Sequence, residues 1–262
     1  LHDALPIWRR EMTIDMKFFN VYYFCHLANE SMGKLDYAST NAEFIERQFE
    51  VEPEDFPRIS VLREYCWWLV DRVFYEQANQ IAQTEAVADF NPIVWINQAI
   101  MKYKNINVSS TKKFECKEED FLERYNQYIE FLDTIREGLY FEIIGDIAIE
   151  VEYILFQNRD FLLRFNEQVA VMFCEHPRKR VYVPEWVKRA VLFRDRGCCV
   201  FCKKDLTGLY SLLEDNEKHF DHIVPLNEGG INDVCNMQLS CQDCNLSKSD
   251  NSMTSSLYQS AY

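Results

Sequence analysis

Through the first two thirds of the chain, apolar positions recur at steps of three and four residues, and that spacing predicts helices. Between Pro57 and about Phe90 no Gly or Pro intervenes, and Val61, Leu62, Tyr65, Leu69, Val73 and Phe74 fall at roughly helical spacing. Asn91-Pro92 interrupts the run, and Pro92 suits the first turn of a following helix that extends to Tyr103. Residues 105–110 are a polar connection. Phe121, Leu122, Tyr125, Tyr128, Ile129, Leu132 and Ile135 then trace one face of an amphipathic helix predicted to end near Gly138. Residues 143–156 read both ways. Ile147, Ile149, Val151 and Tyr153 alternate like a strand, whereas Ile143, Ile144, Ile147, Val151, Ile154 and Leu155 fit a helix. Helical neighbours favour the helix, and residues 161–173 close this part.

Beyond Pro184 the pattern changes. Glu185-Trp186-Val187 reads as a helix start, with Val187, Val191 and Leu192 as the inner face and Gly197 as the stop. Apolar residues around Asp221-His222 suggest a short strand ending at Pro225, and Gly229-Gly230 marks a turn. From Cys241 the chain is expected to enter a helix carrying Asn245 and Lys248. The expected fold is mainly α with a small α+β domain: a helical domain over 12–176, then a second domain over 177–262. Residues 1–11 start without Met and continue no pattern, which reads as an expression scar or translation artefact with Met12 or Met16 as the natural start.

Composition narrows the class. Of 262 residues, 48% are hydrophobic and 15% aromatic, enough to build a core and too many for disorder. No apolar run approaches the roughly 20 residues a membrane helix needs, and no signal peptide is evident at the N-terminus. The formal net charge of −14 is uneven. Residues 1–178 carry 18 basic against 31 acidic side chains, whereas residues 179–262 carry 10 against 11. An electronegative body repels phosphates, so the helical domain is expected to regulate, dimerise or recruit a protein partner. Its lone His26 and His176 read as structural or surface residues, its Tyr65, Trp67, Trp68 and Phe74 as core, and its Glu118-Glu119-Asp120 run as a solvated helix start. Against this background, Arg178, Lys179, Arg180, Lys188, Arg189, Arg194 and Arg196 make a basic join, either an ordinary charged linker or a phosphate-contacting segment.

Six of the ten cysteines lie between Cys198 and Cys244, the rest being scattered singly as in a reducing, cytoplasmic protein. Cys199-Val200-Phe201-Cys202 and Cys241-Gln242-Asp243-Cys244 are two C-x2-C pairs, the spacing that lets two tight turns complete a tetrahedral S4 site for structural Zn2+. Choosing Cys199 keeps the pairs symmetric, and Cys198 would give C-x3-C. A knuckle at both ends of the intervening segment could bring Asp221, His222 and Asn245 together. Histidine can take a proton from water near neutrality. Carboxylate and amide oxygens suit Mg2+ or Mn2+ with open positions for water and phosphate.

The ordered combination of residues 191–202, 220–230 and 236–248 resembles the HNH endonucleases, in their zinc-containing ββα-metal branch. The resemblance covers about a quarter of the chain. It favours Cys199, through the Arg194-Asp195-x-Gly197-x-Cys199 spacing. It implies that His222 is the general base and Asp221 a metal ligand. Asn236 would be the central asparagine that supports the loop and orients the histidine, and Asn245 the second metal ligand in a position often held by histidine. The expected activity is metal-dependent hydrolysis of DNA phosphodiesters, with Arg178, Lys179, Arg180, Arg194, Arg196 and Lys248 contacting the nucleic acid. A bacterial restriction or anti-phage effector would suit such a fusion. The alternative is a non-catalytic zinc module binding nucleic acid or protein.

Overall fold

A computed structural model of the chain describes residues 15–32, 44, 54–83, 92–107, 121–171, 173–174, 178–208 and 218–255. The expectations for residues 1–11, for His176 and for the 118–120 acidic run lie outside these.

The first part is helical. Its elements are α1 (Val21–Ser31), α2 (Val61–Gln83), α3 (Pro92–Lys104), α4 (Phe121–Ile135), α5 (Phe141–Gln157) and α6 (Arg159–Ala170). Side chains set two of the starts. Ser60 Oγ accepts from the Arg63 N–H, so α2 begins at Val61 rather than at Pro57. Asn158 Oδ1 accepts from the Phe161 N–H and separates α5 from α6. Residues 143–156 are helical, as their neighbours argued, and α2 and α5 pack along each other at the centre of the core. Tyr65 and Phe74 are buried there, with Trp67 and Trp68 packed at its edge.

Gly138 does not end a helix. It sits in a π-turn, Arg136–Tyr140, that runs directly into α5. The wider turn carries Tyr140 into the core, where its hydroxyl donates to Asp71 Oδ1 at 2.7 Å. The burial of that ring outweighs the usual role of glycine as a stop.

The C-terminal part is built from α7 (Glu185–Arg194), β1 (Lys218–His222), β2 (Met237–Cys241) and α8 (Gln242–Lys248). Val187 and Val191 are fully buried, as the periodicity required, with Leu192 at the edge. Helix α7 closes with the Gly197 N–H donating to the Leu192 carbonyl at 2.8 Å, Gly197 having φ of 65°. The strands pair antiparallel, with Asp221 opposite Gln238 and His222 opposite Met237, and α8 packs on both. Strand β1 ends at His222 rather than Pro225. Asn236 captures the next two amides, its carbonyl taking the Ile223 N–H and its Oδ1 the Val224 N–H.

The two cores interlock across the expected boundary near residue 176. Ile223, Ile231 and Cys235 pack in the helical core, while Phe56 and Phe156 pack in the C-terminal one. Asn166 on α6 donates to the Cys235 carbonyl at 3.0 Å, and the Phe56 N–H donates to the Asn232 carbonyl at 2.7 Å.

Candidate active site and metal centre

Two tight turns form the cysteine cluster. Cys199 and Cys202 flank a turn that the Lys203 N–H closes by donating to the Cys199 carbonyl, with Lys203 at φ of 63°. The Val200 N–H donates to the Leu239 carbonyl and fastens this turn to β2. Cys241 ends β2 and Cys244 stands in the first turn of α8. Four sulfurs bound to one zinc at about 2.3 Å stand about 3.8 Å apart. Here the Cys202 and Cys241 Sγ atoms are 3.7 Å apart, and all four Sγ atoms lie within 4.8 Å of one another. The donor set fits zinc. Burial raises the Cys199 thiol, but N–H donors of Cys202, Cys241 and Phe201 outweigh it and bring the group below its ordinary value, whereas burial holds the Cys202 and Cys244 thiols above theirs. Cys198 is outside the cluster, with its Sγ turned to the Arg196 carbonyl, and Cys235 is buried against Asn166. The choice between Cys198 and Cys199 is thereby resolved in favour of Cys199.

A second constellation sits where β1 meets α8. Asp221 Oδ2 accepts from Gln238 Nε2 at 3.1 Å across the strand pair and lies 3.1 Å from Lys248 Nζ. Lys248 also donates to the His222 carbonyl at 2.8 Å. Asn245 is half-buried one turn earlier on α8, and its side chain makes no hydrogen bond among the described residues. Gln238 Oε1 is buried without a partner beside Asp221. Asp221 on β1 and Asn245 on α8, two elements that pack together, offer oxygen donors of the kind a divalent cation takes, although Lys248 and Gln238 engage the Asp221 carboxylate.

His222 is buried, and its Nε2 lies 3.0 Å from Asn232 Oδ1. Burial holds the imidazole below its ordinary value, the Asn232 hydrogen bond and the Asp221 carboxylate pull it up, and the charges of Arg180 and Lys248 push it further down. The net direction favours the neutral ring, the form that accepts a proton. Asn236 staples the loop: its Nδ2 donates to the Val224 and Ile231 carbonyls, both at 3.0 Å. The loop-supporting half of its expected role fits this geometry. The direct contact to the His222 ring comes from Asn232, four residues earlier.

Residues 199–251 match the HNH endonuclease family. This segment is an HNH domain. The N-terminal part matches no family, and neither a curated protein nor a solved structure matches the chain.

Within and around the HNH domain, the basic residues expected at nucleic acid divide in two. Lys179, Arg180 and Arg196 are exposed. Three others are not available as expected. Arg194 is buried, donating from Nε and Nη2 to the Asp195 carboxylate, both at 2.9 Å, and from Nη2 to the Met237 carbonyl at 2.6 Å. Lys248 is buried against Asp221 and His222, where it offsets the carboxylate charge. Arg178 is largely covered, pairing with Asp55 at 3.6 Å and lying over the Phe173 ring. Arg178 and Lys248 each lie next to a carboxylate distant in sequence, and Arg194 is held by its neighbour Asp195 and by the distant Met237 carbonyl. Asn232 and Gln238 are the residues that motif reasoning passed over. Gln238 was detectable only as a polar position between two apolar ones on a strand.

Proposed function

We propose that this protein is a metal-dependent endonuclease that hydrolyses DNA phosphodiester bonds. The observation that carries the reading is the convergence of Asp221, His222 and α8 at one end of the β1–β2 pair, fastened behind by the four-cysteine cluster. His222 accepts the proton of the attacking water. Asp221 and Asn245 hold Mg2+ or Mn2+, which when bound offsets the charge that builds on the phosphate. Cys199, Cys202, Cys241 and Cys244 hold a structural zinc that keeps strand and helix in register. Lys179, Arg180 and Arg196 offer the exposed cationic groups for the DNA backbone. The acidic helical part supports protein contacts, with itself or with a partner. A helical module fused to a nuclease suits a cytoplasmic restriction or anti-phage effector.

One observation favours a second reading, a non-catalytic zinc module: the Asp221 carboxylate is already engaged by Lys248 and Gln238. Supercoiled-plasmid cleavage with Mg2+ or Mn2+ separates the two. The nuclease reading expects cutting by the wild type and a loss of about 10²–10⁴-fold in His222→Ala. Failure of the folded, zinc-loaded wild type to cut with either cation, with or without cellular cofactors, removes the main support of the nuclease reading.

A further inference from the structure

We propose that Asn232 is the positioning residue that selects the working tautomer of His222, and that Asp55, from the helical part, sets Asn232 for that task. The inference rests on the reading of His222 as general base. It begins with the two ends of the Asn232 amide, which are alike in size and opposite in hydrogen-bonding sense. One end lies 2.8 Å from Asp55 Oδ1 and 3.0 Å from the Lys179 carbonyl. A carboxylate and a carbonyl only accept, so this end is the NH2 group. The opposite end, 3.0 Å from His222 Nε2, is the amide oxygen, which also only accepts. Nε2 must therefore carry the hydrogen. A neutral imidazole has one N–H, which leaves Nδ1 as the nitrogen with a free lone pair. Nδ1 is then the atom that takes the proton from water, and Nε2 anchors the ring.

The anchor is rigid. Asn232 is 1% exposed, and its own carbonyl accepts from the Phe56 N–H at 2.7 Å. The adjoining Asp233 Oδ2 accepts from the Val61 N–H at 3.0 Å at the start of α2. Residues 55–61 thus hold the loop at positions 232 and 233 through both main chain and side chain. Asp55 and Lys179 both lie outside the segment that matches the HNH family. The base of the site is completed by the part of the chain that carries no nuclease motif. When the imidazole takes the proton at Nδ1, the Asn232 oxygen still accepts from Nε2, so the anchor survives the step.

Two measurements test this on the full-length, zinc-loaded chain. Long-range 15N–1H NMR of labelled histidine, with the His222 signals assigned by their absence in His222→Gln, reads the tautomer without any cleavage. The expected result is Nε2 protonated and Nδ1 bare, and a His222 protonated at Nδ1 overturns the proposal. Cleavage kinetics supply the second readout. Outer hydrogen bonds that orient a metal-ligating histidine are worth about 10–100-fold, and on the same scale Asn232→Ala and Asp55→Ala should lower kcat with KM little changed. Asp55→Asn keeps an acceptor for Asn232 and should recover the larger part of the loss. Asp55 is about half exposed, so its variants keep the fold if Asn232→Ala does not. An Asp55→Ala enzyme with wild-type kcat, alongside an inactive His222→Ala, defeats this proposal and leaves the general-base reading intact. An active His222→Ala defeats the reading on which it rests.

Discussion

Asp195 is the side chain whose loss should damage this protein most for the smallest change in volume. It is completely buried at the end of α7, and its carboxylate accepts four donors. Oδ1 takes Arg194 Nε at 2.9 Å and Arg159 Nη1 at 3.4 Å, and Oδ2 takes Arg194 Nη2 and the Leu239 N–H, both at 2.9 Å. One carboxylate therefore joins α6, α7 and β2 and balances two buried guanidinium groups. Asp195→Asn keeps the shape but replaces one acceptor atom by an NH2 group. Either orientation of the amide then sets this donor against two others. Breaking a buried ion pair by removing one partner costs about 3–5 kcal/mol, mostly from the charge left without compensation. At about 2–4 °C per kcal/mol for a chain of this size, Tm should fall by about 6–20 °C. Urea unfolding of wild type and variant, followed by far-UV circular dichroism and extrapolated linearly, gives the difference directly. A loss below about 1 kcal/mol, the scale of an exposed pair, would show that the two arginines are solvated and that the buried network is not what fastens β2 to the helices.

Two further outcomes follow from the same geometry. Cys199→Ser or Cys244→Ser should take zinc from about one per chain toward zero and lower Tm, because thiolate coordination contributes directly to folding. Elemental analysis with thermal melts checks this, and zinc retained by both variants would remove the cluster from the fold. In salt titrations of DNA binding, Lys179→Gln and Arg180→Gln should each reduce the log–log slope by about 0.9 for every phosphate the native side chain neutralises. Arg178→Gln should leave that slope unchanged, since its guanidinium is turned to Asp55 and Phe173, and an equal effect in all three would place Arg178 at the phosphates after all.

Much of this protein was decided by sequence on its own. Apolar spacing locates α2, α4 and α7 because a helix buries one stripe, and the stripe is written in residue order, whereas α5 also alternates like a strand and is assigned from its helical neighbours. The two C-x2-C pairs mark the four clustered thiols because a tight turn needs only local spacing to aim two sulfurs at one point. Asp221 and His222 are visible because they are neighbours within a motif. Other features arise only from tertiary contacts. Gly138 looks like a helix stop until Tyr140 is seen buried beyond it. Arg194 and Lys248 look like surface cations until the Met237 carbonyl and Asp221 are found against them. Asn232 reads as one polar loop residue among several until Asp55, 177 positions away along the chain, is found at its amide. The physical reason is common to all of them. Burial and hydrogen-bond partnership are relations between distant segments, and a side chain's role changes with what packs against it, whereas periodicity and turn spacing reside in the local chain.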